Sequence, residues 1–209
     1  MHSSYATIII LRRHYDLKIS DLILEKYQLS DIKAIYYELL VLRCSRGQKE
    51  ALEELISNWE KRLFYYIHRL VEDEQESWSI LQEVWVKVLQ NIKRIREPRK
   101  LPVWLYSITR KTVMSHLREK YSQKELVEKE EDNLKTEDFD SQNNFDNAEQ
   151  VHYGLGKISL SHRDILTLFF LQDLSLEEIA RILQIPKGTV KSRLYYAKQA
   201  LKNILEKEA

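Results

Sequence analysis

The chain has 209 residues, enough for one large domain or two small ones, each with a modest core. Only 4 Gly and 3 Pro stand against 31% charged and 44% hydrophobic residues, a composition poor in turns and rich in amphipathic helix, so an all-α fold is expected. The single cysteine, Cys44, can form neither an internal disulfide nor a CxxC zinc site, and the six histidines are dispersed without ligand spacing, so secretion and metal chemistry are disfavoured and a reducing cytoplasm fits.

Net charge is only +1, but it is unevenly placed. Lys87 to Lys120 holds ten cations against Glu97 and Glu119, and Arg181 to Lys202 holds six cations and no acid. Between them, Glu119 to Gln150 carries eleven acids and four lysines. Two basic blocks flanking an acidic stretch suit a partner that is itself charged, such as nucleic acid.

In chain order, Tyr5 to Leu11 reads as strand-like, and its apolar run Ala6 to Leu11 is too short to cross a bilayer before Arg12, Arg13 and His14. Neither a signal peptide nor membrane insertion is expected. Ile19 to Leu42 has helical spacing, and residues 1–44 carry no assignable task. From 49 to 71, Leu52, Leu55, Ile56, Trp59, Leu63, Ile67 and Leu70 recur three or four apart, which lines one helix face. A second helix is expected from Glu76 to Ile92, with Leu81, Val84, Trp85, Val88 and Ile92 inward and Gln82, Glu83, Lys87 and Gln90 outward. Pro98 and Pro102 interrupt the period. A third helix, Val103 to Tyr121, turns Leu105, Ile108, Thr112 and Leu117 inward and its cations outward.

Residues 122–147 are acidic and poor in apolar side chains, and are expected to form a linker between a 45–121 domain and a 148–207 domain. In the second domain Ser161 with Asp164 and Ser175 with Glu178 each have the spacing of a helix-capping pair. The second pair opens a short helix, followed by the turn Gln184 to Gly188, whose Ile185 can plug the gap between helices. A new helix begins near Thr189, with Val190, Leu194, Ala197 and Leu201 inward. A small Ala180 at the crossing completes a helix-turn-helix pattern. Thr189, Lys191, Ser192 and Arg193 then crowd the turn that meets base edges, while Lys198 and Lys202 are placed for phosphates.

Nothing here resembles catalysis: there is no Ser-His-Asp arrangement, Gly-rich phosphate loop or paired-carboxylate pocket, and no cofactor is expected. Trp59, Trp78, Trp85 and Trp104 sit on helical segments, where packing is the default role.

The run LSHRDILTLFFLQDLSLEEIARILQIPKGTVKSRLYYAKQAL resembles region 4 of the sigma-70 family, and IPKGTVKSRL is among its more specific stretches. RGQKEALEELISNWEKRLFYYIHRLV, ILQEVWVKVLQNI and WLYSITRKTVMSHLR resemble region 2, in the family's order and spacing. With no middle domain, the chain is most similar to the extracytoplasmic-function group. The resemblance implies two small helical domains joined by an acidic linker, and a non-enzymatic subunit whose partners are the bacterial RNA polymerase core and promoter DNA, with room for an anti-sigma factor. It implies core binding by Gln82, Glu83, Lys87 and Gln90. It further implies −10 element contacts by Trp104, Ser107, Arg110, Lys111 and Arg118, and −35 contacts by Lys187, Thr189, Lys191, Ser192, Arg193 and Lys198. The linker would thread toward the polymerase active-site cleft.

Some positions depart from the family pattern. Trp78 and Ser79 stand where acids are usual, Ile95 and Leu101 where an aromatic is common, Lys111 in place of Asn and Ser115 in place of Asp. The promoter sequence therefore cannot be borrowed from relatives. A stand-alone helix-turn-helix regulator, or a sigma-like adaptor that binds polymerase without opening promoters, would share parts of these motifs.

Overall fold

The computed structural model describes residues 19–128, 147–171 and 174–207, and every described element is helical. The strand-like stretch Tyr5 to Leu11 lies outside them. Helix α1 (Ile19–Ser45) ends at a turn through Gly47, whose φ of +76° falls in the region that glycine enters without steric cost. Close by, Cys44 is buried, with its Sγ 3.3 Å from the Ala51 carbonyl that it can donate to. Helix α2 (Lys49–Val71) buries Leu55, Trp59, Leu63, Ile67 and Leu70 as the spacing predicts, and Tyr66 besides, with Leu52 and Ile56 at the half-buried edge. Each fully buried leucine or isoleucine on this stripe contributes ~1.5–3 kcal/mol over leaving it in water. Glu72, with φ of 62°, ends the helix by donating its N–H to the His68 carbonyl.

Helix α3 (Glu74–Asn91) starts two residues before the expected Glu76, because the Asp73 carboxylate accepts from Glu76 N at 2.7 Å and caps it. Leu81, Val84, Trp85 and Val88 face inward as expected. Pro98 opens a short 3₁₀ turn, Pro98–Lys100, and Pro102 then sits in the first turn of α4 (Leu101–Glu128). A first-turn N–H has no helical partner, so Pro102 does not break the helix there. Leu105, Thr112 and Leu117 are buried and Ile108 lies at the edge. The helix runs on to Glu128, seven residues into the stretch expected to be linker; residues 129–146 lie outside the described ones.

The second unit comprises α5 (Asn147–Lys157), α6 (Leu160–Leu166), a π turn (Thr167–Leu171), α7 (Leu176–Leu183) and α8 (Lys187–Lys207). The Ser175–Glu178 capping box forms in full: Ser175 Oγ accepts from Glu178 N, and Glu178 Oε2 accepts from Ser175 N at 2.8 Å. The Ser161–Asp164 pair does not form. Ser159 caps α6 instead, accepting from His162 N, and Asp164 is turned away from the helix end into the protein, only 2% exposed. A buried carboxylate needs partners, and Asp164 finds them in the other unit. Gln184, at φ of 56°, makes the turn into α8, and Ile185 packs half-buried against the core as expected. Helix α8 begins at Lys187, two residues earlier than expected, with Val190 N donating to the Pro186 carbonyl.

One hydrophobic cluster runs through both units, joining Leu155, Ile158, Ile165 and Leu168 to the α2, α3 and α4 stripes. The two halves of the sequence pattern therefore pack together, with α6 against α2 and α7 against α4.

Candidate nucleic-acid interface

The outward face of α3 carries Ser79, Gln82, Glu83, Val86, Leu89 and Gln90, all exposed. Val86 is 52% exposed at the centre of this row. Sequence spacing counted polar residues here and missed Val86 and Leu89; their signal was an apolar pair off the buried stripe. Lys87 does not point outward with them. Its Nζ lies 2.7 Å from Glu83 Oε1 and donates to Thr112 Oγ1 of α4 at 3.1 Å. Trp78 caps one end of the face, its ring 4.2 Å from that of Phe64.

On α4, Lys111 and Arg118 are exposed and make no ion pair among the described residues. Trp104 is half-buried against the core, and Ser107 donates its hydroxyl to the Val103 carbonyl at 2.7 Å. Arg110 is engaged: its Nε donates to Asp164 Oδ2 at 2.8 Å. The loop before the helix adds exposed Lys93, Arg94 and Arg96, whereas Lys100 is bonded to Glu97 and Arg99 to Glu38.

Helix α8 sorts its cations in the same way. Lys187 is bonded to Glu177, whose carboxyl pKa that contact holds below the usual range. Lys198 Nζ sits about 5 Å above the Phe169 and Phe170 rings. Lys202 pairs with Glu206 at 3.4 Å. Thr189, Lys191 and Ser192 are exposed at the N-terminal turns and Arg193 is half-buried at their edge. Beside them stand Tyr195 and Tyr196, 60% and 62% exposed and packed edge to face with centroids 5.4 Å apart. Sequence reasoning passed over both tyrosines, although two adjacent aromatics outside the 190, 194, 197, 201 stripe have no core to fill. Aromatic faces beside free lysine suit base and sugar contact.

Among the described residues no cluster of His, Cys, Asp and Glu is placed to hold a metal ion, and no helix is long and apolar enough to cross a membrane.

These features define a two-part helical protein with a helix-turn-helix in one part and a basic helix beside an exposed polar-apolar face in the other, the architecture of a nucleic-acid-binding class. The "Sigma-70 region 2" family model matches residues 55–122 and the "Sigma-70, region 4" model residues 154–203. The RNA polymerase sigma-H factor of Pseudomonas aeruginosa is 30% identical over 178 residues, covering 80% of this chain and 92% of that protein. The ECF RNA polymerase sigma factor SigW of Bacillus subtilis is 25% identical over 178 residues, covering 79% of this chain and 94% of that one. In fold, the chain is similar to the sigma factor RpoE of Bartonella quintana, solved with the anti-sigma factor NepR, at a TM-score of 0.61 and 19% identity over 74% of this chain and 96% of that one. It is likewise similar to CnrH solved with the cytosolic domain of CnrY, at 0.62 and 17% over 82% and 97%.

The chain belongs to the sigma-70 family, in its extracytoplasmic-function group. It is a sigma factor: a non-enzymatic subunit that binds RNA polymerase core and promoter DNA and directs transcription initiation. The region 2 match favours this over the stand-alone helix-turn-helix regulator.

Proposed function

We propose a division of labour in which the outer face of α3 docks on core polymerase, α4 with its preceding loop engages the −10 element, and α8 reads the −35 element. The single observation that carries it is the sorting of charge. Six exposed cations on or before the two helices assigned to DNA, Lys93, Arg94, Arg96, Lys111, Arg118 and Lys191, make no ion pair among the described residues, while the α3 face offers Gln82, Glu83 and Val86. Phosphate-binding surfaces need free cations, whereas a protein-docking face combines an apolar centre with a polar rim. In this reading residues 45–121 form the core-binding and −10 domain and 148–207 the −35 domain, working in the cytoplasm where polymerase resides. An anti-sigma factor is a further partner, a reading supported by the complex in which the Bartonella relative was solved.

Transcription reconstituted with core polymerase on a promoter library tests the assignment. Recovered promoters should share two separated elements, and Lys191→Ala should alter preference in the upstream one while Lys111→Ala with Arg118→Ala impairs use of the downstream one. Unchanged preferences would overturn it.

A further inference from the structure

The seam where α5 approaches α2 frames a cleft of about 470 Å³, within the ~300–1,000 Å³ that small-molecule sites occupy. Its lining is unbalanced in charge. From α2, Arg69 stacks over the Tyr65 ring at 5.4 Å and donates Nη1 to His152 Nδ1 at 3.0 Å, while its Nε is buried with no acceptor among the described residues. From α5, Lys157 Nζ sits 5.1 Å over the Tyr153 ring. Neither cation makes an ion pair among the described residues. The one carboxylate in the lining, Glu72, is committed to Arg163 at 2.6 Å.

A half-buried guanidinium without a counter-charge is costly, and an aromatic face offsets only part of that cost. His152 adds a conditional third cation. It accepts from Arg69 only as neutral imidazole, and burial followed by the Arg69 charge holds its pKa below the ordinary 6.5. An anion beside the ring reverses that preference: Nδ1 takes up a proton, Arg69 is released from it, and both donate to the anion. The other groups facing His152 are Tyr65, His68 and Glu72 from α2 and its end, and Tyr153 and Lys157 from α5 itself. Helix α8 packs on α5 through Leu201 and Leu205 beside Gly154 and brings no charge there.

We propose that this cleft binds the phosphate groups of a small phosphorylated molecule, with Arg69 and Lys157 as the fixed charges and His152 as a donor recruited on binding. The planar fork of an arginine suits two phosphate oxygens, and a lysine supplies a point charge. A diphosphate fits better than a single carboxylate, because donors converging from two helices need acceptors that point in different directions. None of the three residues belongs to the cations assigned to DNA, so the site is separate from promoter reading.

The test uses the full-length chain with inorganic pyrophosphate as the probe, read by titration calorimetry and by thermal unfolding. Pyrophosphate should bind and raise the unfolding temperature, because a ligand held only by the folded state stabilises it by mass action. Lys157→Glu, at an exposed position, and Arg69→Gln should each weaken binding about tenfold or more, the worth of one charge-assisted contact. Lys157→Glu carries the test if the arginine variant fails to fold by circular dichroism. As pH falls from about 8 to about 6, the wild type should gain affinity relative to His152→Asn, a comparison that cancels the titration of pyrophosphate itself. Lys111→Ala with Arg118→Ala should leave pyrophosphate affinity unchanged. Absence of binding, wild-type binding by Lys157→Glu, or a loss confined to the Lys111 and Arg118 double variant overturns the site. So does displacement of pyrophosphate by a short duplex of scrambled sequence, which would make the cleft a contact for the DNA backbone.

Discussion

Glu83 and Lys87 form an i,i+4 pair at 2.7 Å in which the lysine also donates to Thr112 of the neighbouring helix. The lysine is thereby tied to α4, and the Glu83 carboxylate is held in place on the exposed face beside Gln82 and Val86. Gln82→Ala with Glu83→Lys should weaken core polymerase binding by ~2–5 kcal/mol if the pair is desolvated on docking. Val86→Asp should weaken it as well, because it places a charge in the apolar centre of the face. Equilibrium binding to labelled core measures both, with circular dichroism confirming the fold. Wild-type affinity in the folded variants would remove α3 from the docking surface.

On α8, Lys191 and Tyr195 are exposed, the tyrosine against Tyr196, while Lys202 is paired near the helix end. Lys191→Ala and Tyr195→Ala should each cost ~1–3 kcal/mol on the cognate −35 duplex and relax preference at particular positions. Lys202→Ala should weaken all sequences alike and flatten the salt dependence. Binding to matched and scrambled duplexes across a salt series separates the two behaviours; identical profiles would defeat the assignment.

The capping arrangement gives a stability test. Ser175→Ala removes a formed capping box and should cost ~0.5–2 kcal/mol. Ser161→Ala should be close to neutral, since Ser159 is the cap of α6. Denaturant titration resolves the difference, and a large loss at Ser161 would contradict the observed helix start.

His152 provides a pH handle on the seam. Its Nδ1 lies 3.0 Å from Arg69 Nη1 and 3.3 Å from the Tyr65 hydroxyl, and burial, followed by the Arg69 charge, lowers its pKa from 6.5. His68, Glu72 and Lys157 line the same cleft. Because the folded protein holds this histidine neutral, the unfolded chain binds more protons once pH drops below about 6.5, and stability falls from there until pH passes the lowered folded value. Thermal unfolding at stepped pH should show this loss, and His152→Asn should reduce it. An unaltered slope would mean that other groups govern the response.

How much the sequence disclosed depends on range. The stripes of α2, α3 and α8 were legible because burial repeats at the helical period, and the Ser175 cap because its donors and acceptors lie within four residues. Asp164 was misread as a cap because the same Ser-x-x-Asp spacing also places a carboxylate on a buried face. Only Tyr66 and Arg110, 98 and 54 residues away in sequence, decide between these outcomes. The docking of one unit on the other was invisible for the same reason. Lys187, Lys198 and Arg110 all counted as free cations until the fold supplied them with Glu177, two phenylalanine rings and Asp164.

Cys44 carries a different consequence. Its thiol is shielded by α1 and α2, and burial pushes its pKa above the ordinary value, so little reactive thiolate exists at neutral pH. As the only cysteine in the chain, it leaves thiol-modifying reagents without an accessible thiol to attack. If the promoters this factor serves respond to thiol oxidation, the sensing thiol belongs to another molecule and its signal reaches this one as a change in binding.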